Sequence, residues 1–242
     1  MRAGKARLDQ QMMKLGLVAT RSQAESYIKL GQVMVNGQTV TKPGFLVAET
    51  DNIKLMAEEQ YVSRAALKLA SVAEALKLDF KDKIVLDVGS STGGFTDYAL
   101  KHGARKVVAV EVGTDQLHPT LRDDERIELH EQTDIRDVNR LSATPDIVVA
   151  DVSFISLRKI LPHVAGLCDK DTRIAVMVKP QFEAAEAGLK HKGVIKNDKI
   201  RRDILKAFET WAQAKFVVVG KADSAVHGAK GNRERFYSLR KA

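Results

Sequence analysis

The residues best placed to do chemistry gather around one decapeptide, LDVGSSTGGF, residues 86–95. It begins as an apolar run, breaks at Gly89, passes through Ser90, Ser91, Thr92, Gly93 and Gly94, and enters a helix-forming run at about Phe95. Glycine lets the backbone turn tightly and lets a ligand approach closely. The spacing is not GxGxxG, and no Lys-Ser/Thr ending follows, so it is neither the dinucleotide fingerprint nor a phosphate-cradling loop. Asp87 immediately precedes the turn, Glu111 ends the next apolar run (AVEV), and Asp134 follows the run after that. A carboxylate at Glu111 can accept two hydroxyl hydrogens, the pairing that a ribose offers. A glycine turn, a ribose-binding acid and no phosphate cradle suit S-adenosylmethionine, with Asp134 placed to approach the adenine.

Four charged residues stand out next. Asp151 and Lys179 end apolar runs (VVAD, AVMVK), Glu234 follows the glycine-containing turn HGAKGNRE, and Lys68 lies on the segment RAALKLASVAEAL. Any one alone would more often be a surface charge. Two amines and two carboxylates brought to one cleft could move a proton without a metal. His191 has no partner at metal-ligand spacing, and no metal is expected.

These residues need a scaffold, and the pattern supplies one. Strand-like runs occur at 83–88, 106–112, 126–129, 146–152, 173–179, 215–220 and 235–239. Helix-like segments are expected between the first five runs and before the sixth, an alternation that means a parallel sheet covered on both faces. No helix-length segment separates the last two runs, which predicts a terminal antiparallel hairpin. In RAALKLASVAEAL, residues Ala66, Leu67, Ala70, Ala73 and Leu76 fall near helical spacing. The fold class is therefore α/β: a Rossmann-like, seven-stranded, mostly parallel sheet with a terminal hairpin. Ends of strands at the carboxyl edge of such a sheet, where Asp151 and Lys179 fall, are where ligands bind.

Residues 1–57 read differently, as a small α+β domain joined to a domain at 64–242 by a connector at 58–63. Leu8, Met12, Leu15 and Leu17 make one apolar stripe. Thr20 or Ser22 can cap a second helix carrying Ala24, Tyr27 and Ile28, which stops at Gly31. Asn36-Gly37 between β-branched residues signals a hairpin, because both tolerate positive φ. The balance of 39 Lys and Arg against 31 Asp and Glu, net +8, favours a polyanionic partner. A single cysteine, Cys168, excludes an internal disulfide framework and a Cys-rich zinc site, and reads as a buried small side chain. No run reaches the roughly 20 apolar residues of a membrane span, and the charged N-terminus lacks the apolar core of a signal peptide. A cytoplasmic protein without membrane contact is expected. The basic stretch Lys190, Lys192, Lys196, Lys199, Arg201 and Arg202 is expected to meet RNA phosphates.

The N-terminal segment, through LDQQMMKLGL, TRSQAESYIKLGQVMVNG and Lys42-Pro43-Gly44, resembles the S4-like RNA-binding fold. That resemblance implies RNA recognition on the face of the second helix, here with Arg21, Ser22 and Lys29. Lys68, Asp151, Lys179 and Glu234 together resemble the Lys-Asp-Lys-Glu tetrad of FtsJ-like ribose 2′-O-methyltransferases. With YVSRAALKLA, LDVGSSTGGFTDYAL, VEVGTDQL, ADVSFISL, VKPQFEA, KGVI and GNRERF in order, the chain resembles the TlyA family of hemolysin-like ribosomal RNA methyltransferases. The resemblance implies ribosomal RNA or a ribosomal subunit as partner, with the tetrad as catalytic residues. The loop residues Asp87, Gly89, Ser90, Thr92, Gly93, Gly94 and Phe95, with Glu111 and Asp134, would be the cofactor-binding set. His118-Pro119-Thr120 departs from the family pattern where a Trp-containing helical stretch is expected. Lys179 is the candidate base. A lysine accepts a proton only when neutral, against a reference pKa of about 10.4, and burial and a second amine nearby both favour the neutral form. Two other readings compete: a non-catalytic RNA-binding or ribosome-assembly factor with a vestigial fold, and a membrane-damaging hemolysin. The intact glycine loop and tetrad argue against the first. The lack of a segment long enough to insert argues against the second.

Overall fold

The computed structural model describes residues 5–57, 61–189, 193–228 and 231–242. The N-terminal part runs β1 (Ala6–Arg7), α1 (Leu8–Lys14), α2 (Arg21–Lys29), β2 (Val33–Val35), β3 (Gln38–Thr39), β4 (Leu46–Val47) and β5 (Ile53–Leu55). Thr20, not Ser22, caps α2: its side chain accepts from Gln23 N while the Gln23 side chain accepts from Thr20 N, a reciprocal capping box. The β2–β3 hairpin turns at Asn36 and Gly37, both at positive φ. Leu8 and Met12 are buried with Ala24, Tyr27 and Ile28, whereas Leu15 caps α1 at its C-terminal end and is exposed. Leu15 thus drops out of the apolar stripe, while Leu17 packs against the same core.

The remainder follows as α3 (Arg64–Ala73), β6 (Ile84–Val88), α4 (Gly94–Lys101), β7 (Lys106–Val110), α5 (Pro119–Arg122), β8 (Ile127–His130), β9 (Ile147–Ala150), α6 (Leu161–Gly166), β10 (Arg173–Val178), α7 (Pro180–Glu183), α8 (Asp198–Gln213), β11 (Phe216–Asp223) and β12 (Arg235–Lys241). The seven strands order as β11-β12-β10-β9-β6-β7-β8. β12 runs antiparallel to both neighbours, and the other pairs are parallel. One expectation is corrected: between β8 and β9 lies only a single 3₁₀ turn at Ile135–Asp137, not a helix. Asp134 caps it, and a segment so rich in Asp and Arg offers no apolar stripe to bury. α5 is four residues long, with Pro119 at its first turn.

Apolar residues fill both faces of the sheet. One face packs Leu86, Val108, Val148, Val176, Phe208 and Tyr237, with Cys168 buried among them, and the other packs Leu69, Phe80, Val85, Phe95, Val149 and Phe236. Each fully buried aliphatic or Phe side chain contributes about 1.5–3 kcal/mol. The N-terminal core is not closed by the first 57 residues alone. Leu67 of α3 and Val226, between β11 and β12, are 2% exposed and belong to the same cluster as Leu8, Tyr27 and Ile28.

Candidate active site

The strand order reverses between β9 and β6, so the segments leaving their carboxyl ends diverge and open a crevice. A cavity of about 470 Å³ lies there, lined on one side by Gly89, Ser91 and Glu111 and on the other by Asp151, Val152 and Phe154. Its size falls within the range of small-molecule sites, ~300–1,000 Å³.

Gly89 is at φ +79°, and a Cβ there would stand 3.1 Å from the Asp151 carbonyl oxygen. Glycine is required both for the turn and for the closeness of the two strand ends. Glu111, buried, accepts from Ser91 N through Oε2 (2.9 Å) and from Gly113 N through Oε1 (2.8 Å). It thus braces the glycine turn and lines the cavity. Each of its oxygens keeps a second lone pair.

Asp134 also lines the cavity, but its carboxylate is held by Arg136 through Nε (3.0 Å) and Nη2 (2.6 Å). That guanidinium keeps its carboxyl below the usual range. Asp87 is fully buried behind the turn, accepting 2.7 Å from Thr96 Oγ1, and burial pushes its carboxyl up to about 7. Among the described residues its Oδ1, and the buried Ser90 Oγ, have no hydrogen-bond partner.

Four further residues of the loop are fixed by packing around it. Phe95 points into the core, 6.0 Å from the Phe236 ring, because the first turn of α4 must cover the sheet. Gly94 admits the start of α3, whose Ala65 Cβ would lie 2.8 Å from a Cβ placed there. Gly93, at φ +86°, sits under Leu117 and Leu121. Thr92 is exposed, its carbonyl accepting from His118 N (3.2 Å).

The four charged residues form two pairs. Lys179 Nζ stands 2.5 Å from Asp151 Oδ1 and donates to Ser153 Oγ at 2.8 Å. Lys68 Nζ stands 2.6 Å from Glu234 Oε2. Val178 pairs with Arg235 across β10 and β12, so Lys179 and Glu234 occupy the next position on that ladder. The two pairs are therefore neighbours at the carboxyl edge of β9 and β10.

Sequence spacing did not single out three contributors. Ser91 is the loop residue that meets Glu111. Phe154, within the ADVSFISL run, is at φ +65° and 92% exposed at the cavity, its ring 5.2 Å from Phe182. An aromatic residue in the left-handed region is strained, and such outliers concentrate at functional sites. Glu183, on α7, is 1% exposed and accepts from Ser156 Oγ and Leu157 N, both at 2.7 Å. It ties the loop after Asp151 to the helix after Lys179. Burial raises its carboxyl above the ordinary value against those two hydrogen bonds.

Among the expected RNA contacts, Ser22, Lys29, Lys196 and Arg202 are exposed. Arg21 is exposed but ion-paired to Asp9 at 3.0 Å. Lys190 and Lys192, with His191, lie outside the described residues. Arg201 is corrected: it is buried, bonding Asp223 at 2.6 Å and the Arg233 carbonyl at 2.9 Å. Its position on the inner face of α8 turns it toward the hairpin instead of solvent. Among the described residues no cluster of His, Cys, Asp and Glu could hold a metal ion, and no helix is long and apolar enough to cross a membrane.

The FtsJ-like methyltransferase family matches residues 61–241 and the S4 domain matches residues 6–53. Hemolysin A of Brachyspira hyodysenteriae is 39% identical over 94% of this chain and 97% of its own. The 16S/23S rRNA (cytidine-2′-O)-methyltransferase TlyA of Mycobacterium tuberculosis is 36% identical over 98% of this chain and 91% of its own. A solved hemolysin structure from Streptococcus thermophilus superposes with a TM-score of 0.71, at 36% identity, over 99% of this chain and 90% of that one.

Proposed function

Since the chain belongs to the FtsJ-like methyltransferase family and carries an S4 domain ahead of the catalytic part, we propose that it methylates a ribose 2′-hydroxyl of ribosomal RNA, with S-adenosylmethionine as methyl donor. The observation that carries this reading is Asp151, which lines the cavity and at the same time holds the Lys179 amine at its border.

The cavity suits the cofactor. Glu111 has two lone pairs free for the ribose hydroxyls, Ser90 Oγ is a buried polar atom in want of a partner, and Gly89 leaves the backbone bare. When bound there, S-adenosylmethionine supplies an electrophilic methyl group. Lys179, in its neutral form, takes the hydroxyl proton as the oxygen attacks, with Asp151 and Ser153 fixing the direction of the amine. The Lys68–Glu234 pair, with Glu234 opposite Lys179 on the extended ladder, holds the hydroxyl side of the cleft. Alignment of the hydroxyl supplies a large share of the acceleration, since well-oriented reactants gain up to ~7–11 kcal/mol over free ones.

Residues 1–57, with Arg21, Ser22 and Lys29 on α2, would grip the RNA, residues 64–242 would carry the reaction, and 58–63 would connect them. Lys196 and Arg202 add phosphate contacts beside the site. Phe154 offers a largely exposed ring at the cavity, tilted against Phe182, the kind of surface on which an extruded base settles. Work on ribosomal RNA would place the protein in the cytoplasm.

The test is transfer of an isotopically labelled methyl group to ribosomal subunits, followed by nucleoside mass spectrometry. Two similar proteins are named for cytidine, so the expected product is a 2′-O-methylcytidine. Label on a base, or on none of the RNA, would overturn the proposal.

A further inference from the structure

The helix and the turn that deliver Lys68 and Glu234 are both seated in the core of the N-terminal domain. Leu67, the residue before Lys68, is 2% exposed among Ala24, Tyr27 and Ile28 of that domain. Val226, on the turn that leads to Glu234, is 2% exposed in the same cluster. Hydrogen bonds carry these anchors to the pair. Ser224 N donates to the Glu234 carbonyl at 3.0 Å, and Ser224 Oγ donates to the Val226 carbonyl at 2.8 Å. Ser71 Oγ donates to the Lys68 carbonyl at 2.7 Å and accepts from Ala225 N at 3.2 Å, bridging helix and turn. From the other side, Gln23 Nε2 donates to the Tyr61 carbonyl at 3.1 Å, and the Tyr27 hydroxyl bonds the Tyr61 backbone. The α2 helix thus grips the chain just before α3.

We propose that the N-terminal domain is a structural part of the active site, with Leu67 and Val226 as positioning residues that hold the Lys68–Glu234 pair in place. Lys179 and Asp151, by contrast, follow the central strands β10 and β9, and the Lys179 amine meets Asp151 and Ser153. The inference rests on reading Lys68 and Glu234 as active-site residues. Its consequence is that the domain does more than tether RNA. Loosening its docking misplaces one lysine–carboxylate pair and leaves the other untouched.

The experiment uses the full chain carrying Val226→Ala or Leu67→Ala, with Leu67→Met as the conservative control. Two readouts are taken. In methyl-transfer assays, kcat is expected to fall at least about tenfold, as small misplacements do, while KM for RNA and cofactor affinity stay at wild-type values and Leu67→Met restores the rate. In trace amine labelling mapped by mass spectrometry, Lys68 should label faster in the variants while Lys179 labels as in wild type. Should Val226→Ala not fold, Val226→Thr keeps the side-chain shape, places a hydroxyl in the apolar docking site and carries the same readouts. Unchanged kcat, or equal acceleration of labelling at Lys68 and Lys179, would overturn the proposal. A wild-type chain without methyl transfer, but with selective exposure of Lys68 in Val226→Ala, would fall on the enzymatic reading and leave the positioning one standing.

Discussion

Lys179 and Asp151 follow neighbouring parallel strands in the middle of the sheet, whereas Lys68 and Glu234 come from a helix and from the turn before the antiparallel flank. The first pair keeps 11% and 16% of its side-chain surface and borders the cavity; the second keeps 8% and 3%. Both are amine–carboxylate contacts of about the same length, so the difference lies in what surrounds them. A pair at the edge of a cavity can exchange partners when a substrate arrives. A buried pair is costly to break, because either partner left alone keeps its charge out of water. On the proposed function the same two residue types would serve different ends, the outer pair proton movement and the inner one fixed geometry and field.

The sharpest way to break this contrast is at Lys179. Lys179→Ala should lower the chemical rate by about 10²–10⁴-fold, the range for loss of a general base, with cofactor affinity retained in calorimetry. Lys179→Arg should fail as well, because a guanidinium does not release its proton under these conditions. A near wild-type rate in Lys179→Arg would reduce the lysine to a positive charge and make the two pairs alike.

At the inner pair the larger effect should be on stability. Lys68→Met leaves the buried Glu234 unpaired and should cost about 3–5 kcal/mol in denaturant unfolding. Lys68→Met with Glu234→Leu should recover much of that stability and none of the activity. A loss below that of Lys179→Met would show that the inner pair is not the closed one.

The last test concerns Asp87, buried behind the glycine turn with no amine partner among the described residues. Its folded carboxyl sits at about 7, against about 3.9 in an unfolded chain. Between those values the native state holds a proton that the unfolded state releases, so stability falls as pH rises from about 4 to about 7 and levels off above. Asp87→Asn removes that loss. Its advantage over wild type in thermal unfolding should grow across the same window, to on the order of 4 kcal/mol for a carboxyl pKa raised by about three. A constant difference between pH 4 and 8 would mean that Asp87 is ionised in the fold throughout.

Much of this architecture was legible before any coordinates. Apolar runs at strand length, separated by turn signals, specify a parallel sheet because each strand is buried on both faces. Gly89 declares itself because a glycine between a strand and a helix has few other uses. The NG turn and the Thr20 cap are local devices, set by residues within a few positions of one another. The helix expected between β8 and β9 is a 3₁₀ turn, and the other differences are matters of direction. Phe95 and Arg201 have the right types for ligand and phosphate contacts, yet the helices carrying them turn both residues inward. Glu183 carries no signal in the sequence, and its burial against Ser156 and Leu157, 27 and 26 positions away, is a product of packing.

The sequence by itself determined which residues could do chemistry and which strand ends would hold them, because strand period, glycine freedom and amine or carboxylate chemistry are properties of the residues and their neighbours. Only the tertiary structure decided how those residues combine: that Lys179 pairs with Asp151 and Lys68 with Glu234, that Glu111 braces Ser91, and that Leu67 and Val226 complete the core of a domain to which neither belongs in sequence. Such pairings depend on the order of strands and the docking of one domain on another. Both are set by burial summed over many residues far apart in the chain, and no local pattern encodes that sum.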